Sequence, residues 1–192
     1  MIQSQGIDGF VNTGQFSGLT AAVRSHIDVS KPFTMVEIGV WSGFTSAVIL
    51  EEFPNITYFG IDPYVPYPWA EGKRGAALLK EARALATERY KNWPNAKLIV
   101  SPAQDVVATF PDNSIDCIFI DGDHAYDSVL RDFKQWWPKV STLFAGHDYL
   151  HVADIKRIVD DWQLNEGRNT SLGFGEGDLW YFVKQRIFTQ IL

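Results

Sequence analysis

The sequence predicts an α/β fold, a doubly wound and mostly parallel sheet with helices on both faces. Three observations carry that prediction. Short apolar runs rich in β-branched and aromatic residues, such as FTMVEIGV, ITYFGID and IDCIFID, recur along the chain. A stretch with helical spacing or helix-forming composition follows each of them. Several runs end in Gly or Asp, residues suited to the turn between a strand and the next helix. At 192 residues, 46% hydrophobic and 21% charged, the chain suits one domain over 1–192. It divides into a helical N-terminal segment (1–32), a core (33–184) and a tail (185–192).

The elements follow in order. FSGLTAAVRSHID (16–28) has apolar groups at helical spacing and is stopped by VSKPF, which contains Pro32. FTMVEIGV (33–40) is the first strand, and SGFTSAVILEEF (42–53) a helix that stops before Pro54. ITYFGID (56–62) is the second strand. PYVPYPWAEG (63–72) has three prolines and three aromatics, which forbid regular structure, and the 63–74 loop has the length of a lid. Its Tyr64, Tyr67 and Trp69 suit an acceptor-facing lid or a hydrophobic cover. A helix over 75–93 follows, rich in Ala, Leu, Glu, Lys and Arg. AKLIVS (96–101) is a strand, QDVVATF (104–110) a short helix and IDCIFID (115–121) the fourth strand. AYDSVLRDFKQWWPKV (125–140) is a helix ended near Pro138, and STLFAGHDY (141–149) a fifth strand with its loop. Residues 152–164 are an amphipathic helix, and DLWYFVK (178–184) is a late strand.

Composition excludes several function classes. Seventeen basic against 23 acidic residues give a net charge of −6 with no long basic run, so no nucleic-acid partner is expected. The single Cys117 cannot form an intramolecular disulfide and reads as a small buried hydrophobe, which suits a reducing, cytoplasmic setting. No run reaches the roughly 18 apolar residues of a membrane span, and MIQSQGIDGF lacks a signal-peptide pattern. A membrane partner is therefore not expected either.

In such sheets ligands sit beyond the carboxyl ends of the strands. That rule places Gly39, Asp62, the 103–105 stretch, Asp121, His147 and Asp148 along one rim. EIGVWSGFTS spaces Gly39 and Gly43 as G-x-x-x-G, without the G-x-G-x-x-G that seats a pyrophosphate. Glu37, two residues earlier, would repel a phosphate and favours a cationic ligand. Asp62 can accept hydrogen bonds from both ribose hydroxyls, or simply start the turn at Pro63.

IFIDGDHAYD (118–127) gathers three carboxylates and an imidazole, which suit a metal site, a general base, a helix N-terminus or a solvated loop. Asp121 and Asp148 end consecutive strands and can share a cleft, where two or three oxygen ligands suffice for a hard divalent cation. A metal on an acceptor oxygen would lower its pKa and orient it. Without a metal, His124 or His147 can serve as the base. Asp123 is either a base or the cap of the helix starting near Ala125, and His124 a catalyst or a packed loop residue. Tyr126 reads as packed, and Asp127 and Asp132 as a solvated helix face.

VEIGVWSGFTS, YFGIDPY, SPAQDVV and IDCIFIDGDHAYDSVLRDFKQWWPKV, followed by AGHDY, resemble in order and spacing the class I S-adenosylmethionine-dependent methyltransferases. The resemblance spans roughly residues 33–184. It is closest to small-molecule O-methyltransferases whose fourth strand ends in D-G-D-H and whose fifth ends in H-D-Y or D-D-Y. It implies a seven-stranded, Rossmann-like sheet and metal-assisted methyl transfer from S-adenosylmethionine to a hydroxyl of a small-molecule acceptor, with S-adenosylhomocysteine as product. It also implies that Glu37 and the turn Gly39, Ser42 and Gly43 face the methionine part, Asp62 the ribose, and Ala103 with Gln104 the adenine. Asp121 would lie near the sulfonium. Asp121, His147 and Asp148 would hold Mg2+ or another divalent cation, with Asp123 as general base. Position 147 carries a carboxylate in some relatives, and an imidazole there suits zinc, manganese or iron better than magnesium.

Two other readings use the same residues. GDH and GHD suggest a metal-dependent phosphoesterase-type hydrolase, for which four scattered histidines are few, His26 and His151 lying outside the motifs. A module that binds the cofactor without catalysis is the third. Acceptor choice would rest on the N-terminus, the 63–74 loop and residues 165–177, and the tail RIFTQIL offers an aromatic surface for a homo-oligomer.

Overall fold

Seven strands pair into one sheet because each apolar run finds a neighbour at matching register. The structure, a computed structural model, describes residues 13–66, 72–166 and 170–184. Its strands are β1 (Phe33–Ile38), β2 (Ile56–Ile61), β3 (Ala96–Ile99), β4 (Ile115–Ile120), β5 (Val140–Gly146), β6 (Thr170–Gly175) and β7 (Leu179–Lys184). The helices are α1 (Thr13–His26), α2 (Phe44–Glu52), α3 (Gly72–Tyr90), α4 (Ala103–Val106), α5 (Tyr126–Trp136) and α6 (Ala153–Asn165). Sheet order is β3-β2-β1-β4-β5-β7-β6. Strands β1 to β5 run parallel, and β7 pairs antiparallel with both β5 and β6.

Register decides what shares the rim. Ile38 lies opposite both Ile61 and Ile120, and Ile120 lies opposite Gly146. The ends of β1, β2, β4 and β5 therefore line up. Gly146 in turn pairs with Trp180, which brings the β6–β7 turn to the same rim. The chain runs outward through β2 and β3 and returns to β4 on the other side of β1, so the crevice at the switch point lies between β1 and β4.

Alternate side chains of each strand enter opposite layers. Val36, Ile118, Ile120 and Phe144 pack with Phe133 and Trp136 of α5 and with Ile158 and Val159 of α6. Met35, Tyr58, Phe119 and Leu143 pack with Leu19 and Val23 of α1, Ile49 of α2 and Tyr90 of α3. Phe133 stacks on Trp180 at 5.1 Å and meets Phe144 edge-on at 5.0 Å, so α5 is bolted to the β5–β7 half of the sheet. Cys117 is buried, and burial pushes its thiol well above the usual range.

Several expectations are revised. β6 has no counterpart among the expected strands: TSLGFG carries two glycines, and Gly173 is needed because the Tyr181 ring lies where a side chain would go. The long helix begins at Gly72, not 75, and ends at Tyr90. The short helix is one turn, Ala103–Val106, continued as a 3-10 turn over Val107–Thr109. Asp127 is exposed, but Asp132 is buried between Val129 and Phe133 and not on a solvated face. Burial raises its carboxyl to about 6, and its Oδ1 finds no hydrogen-bond partner among the described residues. Tyr64 packs beside the α1–α3 layer, its O–H donating to the Trp41 carbonyl at 2.8 Å. Tyr67, Trp69 and the tail RIFTQIL lie outside the described residues. Among the described residues no helix is long and apolar enough to cross a membrane.

Candidate active site

The rim is built first by backbone. Gly39 has φ +90°, and a Cβ there would overlap the Asp121 carbonyl group. Only glycine lets the end of β1 pass this close to the loop after β4. The Asp121 N–H donates to the Ile38 carbonyl at 2.8 Å and closes the same contact. Gly43, at φ +76°, starts α2. Between the glycines, the Arg89 guanidinium from α3 donates to the Ser42 carbonyl at 2.8 Å and to its Oγ at 3.0 Å.

Asp62 is committed to this turn. Its Oδ2 accepts the N–H groups of Val40 at 3.0 Å and Trp41 at 2.9 Å, and its Oδ1 accepts that of Tyr64 at 2.7 Å. Burial raises its pKa, and those three N–H donors oppose the rise. The expected turn role is therefore present, and any ribose contact would use its remaining lone pairs.

Glu37 lies beneath the turn. It is 1% exposed, and the Ser46 and Tyr58 hydroxyls donate to its Oε2, the latter at 2.9 Å. Tyr90 donates to Ser46 Oγ at 2.9 Å, completing a buried network. Burial drives the Glu37 carboxyl up to about 8, aided by the charges of Asp121 and Asp62 against its two hydroxyl donors. Burial thus works against the charge with which Glu37 would attract a cationic ligand, the role its place in the motif suggests. Ala103 is buried at the start of α4, and Gln104 is exposed beside it.

The ends of β4 and β5 bring acids and imidazoles together. Asp121, His124 and Asp148 offer ligand atoms that all lie within 4.8 Å of one another. His124 Nε2 is 3.0 Å from Asp148 Oδ2 and 4.0 Å from Asp121 Oδ1. His147 is not in that triad. Its Nδ1 lies 3.0 Å from Asp148 Oδ1 and its Nε2 lies 2.5 Å from the Gly177 carbonyl oxygen, so both nitrogens face acceptors. Burial lowers its pKa, but the bond to Asp148 and the charges of Asp121 and Asp148 win and raise it to about 9. His147 thus clamps Asp148, while the imidazole whose ligand atom converges with those of Asp121 and Asp148 is that of His124. Burial pushes Asp148 up, yet its bond to His147 and the nearby His147, His124 and His151 hold it below the usual carboxylate range.

Asp123 stands apart from the triad. Its Oδ1 accepts the Ala125 N–H at 3.2 Å, closing a turn before α5, while the helix itself starts from Ala125 with no side-chain cap. Two residues of the rim, Asp178 and His151, have no role in the sequence reading. Asp178, nearly buried, accepts the Leu150 N–H and faces His151 Nδ1, each at 2.6 Å. The signal was the late strand DLWYFVK: once it pairs antiparallel with β5, the residue before it must reach the rim. Three of the four histidines thus surround Asp148.

The profile described as Methyltransferase domain matches residues 36–149, more than half of the chain, from the second half of β1 to the loop after β5. The chain belongs to that family. Its fold and motif order are those of class I methyltransferases, whose methyl donor is S-adenosylmethionine. This methyltransferase is 27% identical over 108 residues to the uncharacterized protein R132 of Acanthamoeba polyphaga mimivirus. The match covers 56% of the chain, which spans about half (47%) of that relative's length. Among solved structures it is similar to the O-methyltransferase NovP, with 22% identity, a TM-score of 0.63, and coverage of 92% of this chain and 81% of that one. The O-methyltransferase TomG of Streptomyces achromogenes, solved with S-adenosylmethionine, shares 14% identity at a TM-score of 0.54, with 91% and 81% covered. At these identities the likeness carries the fold. The scarcity of histidines no longer argues against a hydrolase, since three of them converge; family membership does.

Proposed function

We propose that this methyltransferase moves the methyl group of S-adenosylmethionine to a hydroxyl of a small-molecule acceptor at the rim between β1, β4 and β5, with a divalent cation held by Asp121, His124 and Asp148. The observation that carries the reading is the convergence of that triad, within 4.8 Å, beside a glycine turn that touches Asp121 through its backbone. Two carboxylates and one imidazole fit manganese, zinc or iron better than magnesium, and three protein ligands leave positions open. When bound, the cation supplies Lewis acidity that lowers the pKa of an acceptor hydroxyl.

The chain's own residues do the rest. The Gly39–Ser42–Gly43 turn faces the methionine part, with Asp62 holding it in shape and reaching the ribose, and Ala103 and Gln104 flank the adenine. The acceptor oxygen attacks the methyl carbon in line, the carbon–sulfur electron pair stays on sulfur, and the hydroxyl proton passes to Asp123 on the loop before α5. The 3.0 Å contact between His124 Nε2 and Asp148 Oδ2 favours a second, metal-free reading, in which Asp148 orients His124 and His124 takes that proton.

Isothermal titration with S-adenosylhomocysteine tests the cofactor assignment, and absence of binding sinks it. Methyl transfer across a panel of hydroxylated acceptors, with and without a chelator, separates the rest. Activity lost with the chelator and restored by Mn2+ supports the cation; activity indifferent to both supports the His124 base. Tight cofactor binding with no turnover on any acceptor favours a non-catalytic module.

A further inference from the structure

Asp148 has neighbours of the same two kinds on either side. Toward β4 stand Asp121 and His124, and toward the β6–β7 turn stand Asp178 and His151, each trio offering ligand atoms within 4.8 Å of one another. We propose that Asp148, His151 and Asp178 form a second divalent-cation site, which shares Asp148 with the first. Of the proposed function, this inference uses only the shared carboxylate and requires no methyl transfer.

Burial and charge argue for it. The Asp178 side chain is only 3% exposed, and a buried carboxylate needs a cationic or hydrogen-bonding partner. It accepts one N–H, from Leu150, and faces the imidazole of His151. An ion pair would need nothing beyond His151. The same space, however, also holds an oxygen of Asp148, and a second carboxylate beside a simple ion pair adds like-charge repulsion. A divalent cation resolves the arrangement, because it binds both carboxylates and takes a lone pair from the imidazole. His151 is 71% exposed in its side chain, so the remaining coordination positions open to water.

The donor set selects the metal class. One imidazole with two carboxylates suits Mn2+, Co2+ or Zn2+ over Mg2+ or Ca2+. Its ligands come from the turn between β5 and α6 and the turn between β6 and β7, so the cation would tie two separate segments of the rim.

Co2+ is the probe, added to the full chain after removal of bound metal by chelator, with equilibrium dialysis and metal analysis for the count and visible absorption for the ligand field. The wild type should hold two Co2+ per chain. His151→Ala, checked for folding by circular dichroism because it removes the side-chain partner of buried Asp178, should weaken one of the two by at least tenfold and leave the other. Asp121→Ala should do the same to the opposite site, and the two variants should lose different absorption bands. Asp178→Asn, checked for folding by circular dichroism, should match His151→Ala. Wild-type binding of no Co2+, binding of a single Co2+ that Asp121→Ala abolishes and His151→Ala leaves, or a His151→Ala count equal to wild type overturns the second site. A chain that holds two Co2+ yet transfers no methyl group would sink the proposed function and leave this inference standing.

Discussion

Replacing Glu37 by glutamine tests the buried network beneath the glycine turn. Glu37 is 1% exposed and its carboxyl is raised from 4.5 to about 8, chiefly by burial. Between those two values the unfolded chain ionises Glu37 while the folded chain keeps it protonated. An unfolded state that binds fewer protons loses free energy relative to the folded one as pH rises, so the native state is destabilised across this window. The full shift corresponds to a ceiling of about 5 kcal/mol, and relaxation of the site reduces the working expectation to roughly half of that. The amide introduced by Glu37→Gln has the same shape and can accept the Ser46 and Tyr58 hydroxyls, but has no charge to bury. The variant should match the wild type at pH 4, gain on it through pH 4.5–8, and exceed it above pH 8 by roughly 5–10 °C in melting temperature. Thermal melts followed by circular dichroism from about pH 4 to 9 give the curve. A difference between the two proteins that stays flat over that range refutes the buried, protonated carboxyl. Affinity for S-adenosylhomocysteine should change less than about threefold at neutral pH, since Glu37 acts from beneath the turn.

Four further outcomes are expected. His147 is raised from 6.5 to about 9, so its stabilisation is complete below pH 6.5 and is lost as pH climbs through 9; melts of His147→Gln should show its deficit against wild type shrinking over that window. Asp62→Ala leaves the N–H groups of Val40, Trp41 and Tyr64 without their acceptor, at about 1–3 kcal/mol for each one kept from water, and should weaken S-adenosylhomocysteine at least tenfold by calorimetry. Gly39→Ala drives a Cβ into the Asp121 carbonyl at φ +90° and should lower the melting temperature by roughly 10 °C or more in a thermal scan. Asp123→Ala should cut kcat more than tenfold with cofactor affinity nearly unchanged in titration, whereas equal kcat would reduce Asp123 to its turn with Ala125.

Parallel strands covered on both faces read as unbroken apolar runs, which is why β1, β2 and β4 were legible from composition alone. β6 failed that test because it is an edge strand with Gly173 and Gly175 in a six-residue run. Asp132 shows a different kind of miss. With Val129, Phe133 and Trp136 it occupies the i, i+3, i+4, i+7 stripe that α5 turns to the core, so spacing marked it as buried although its chemistry suggested solvent. The rim acids at strand ends were legible from the alternation of elements. Which of them point at one another was not, because that depends on side-chain direction and on the antiparallel return of β7.

The different surroundings of His147 and His124 show what direction adds. The His147 N–H still bonds to the Ile120 carbonyl at 3.2 Å, continuing the ladder between β4 and β5, and its ring reaches across to the Gly177 carbonyl of the β6–β7 turn. One residue later the backbone enters the left-handed region, with Asp148 at φ +66°, and the carboxylate meets His124 from the β4 loop on one oxygen and His147 on the other. A short polar side chain tolerates that backbone and a β-branched one does not. Two adjacent motif positions thus face different partners: the His147 ring spans Asp148 and Gly177, and the Asp148 carboxylate lies between two imidazoles. The charge that His147 supplies keeps Asp148 ionised, which any cation bound on either side of it would require.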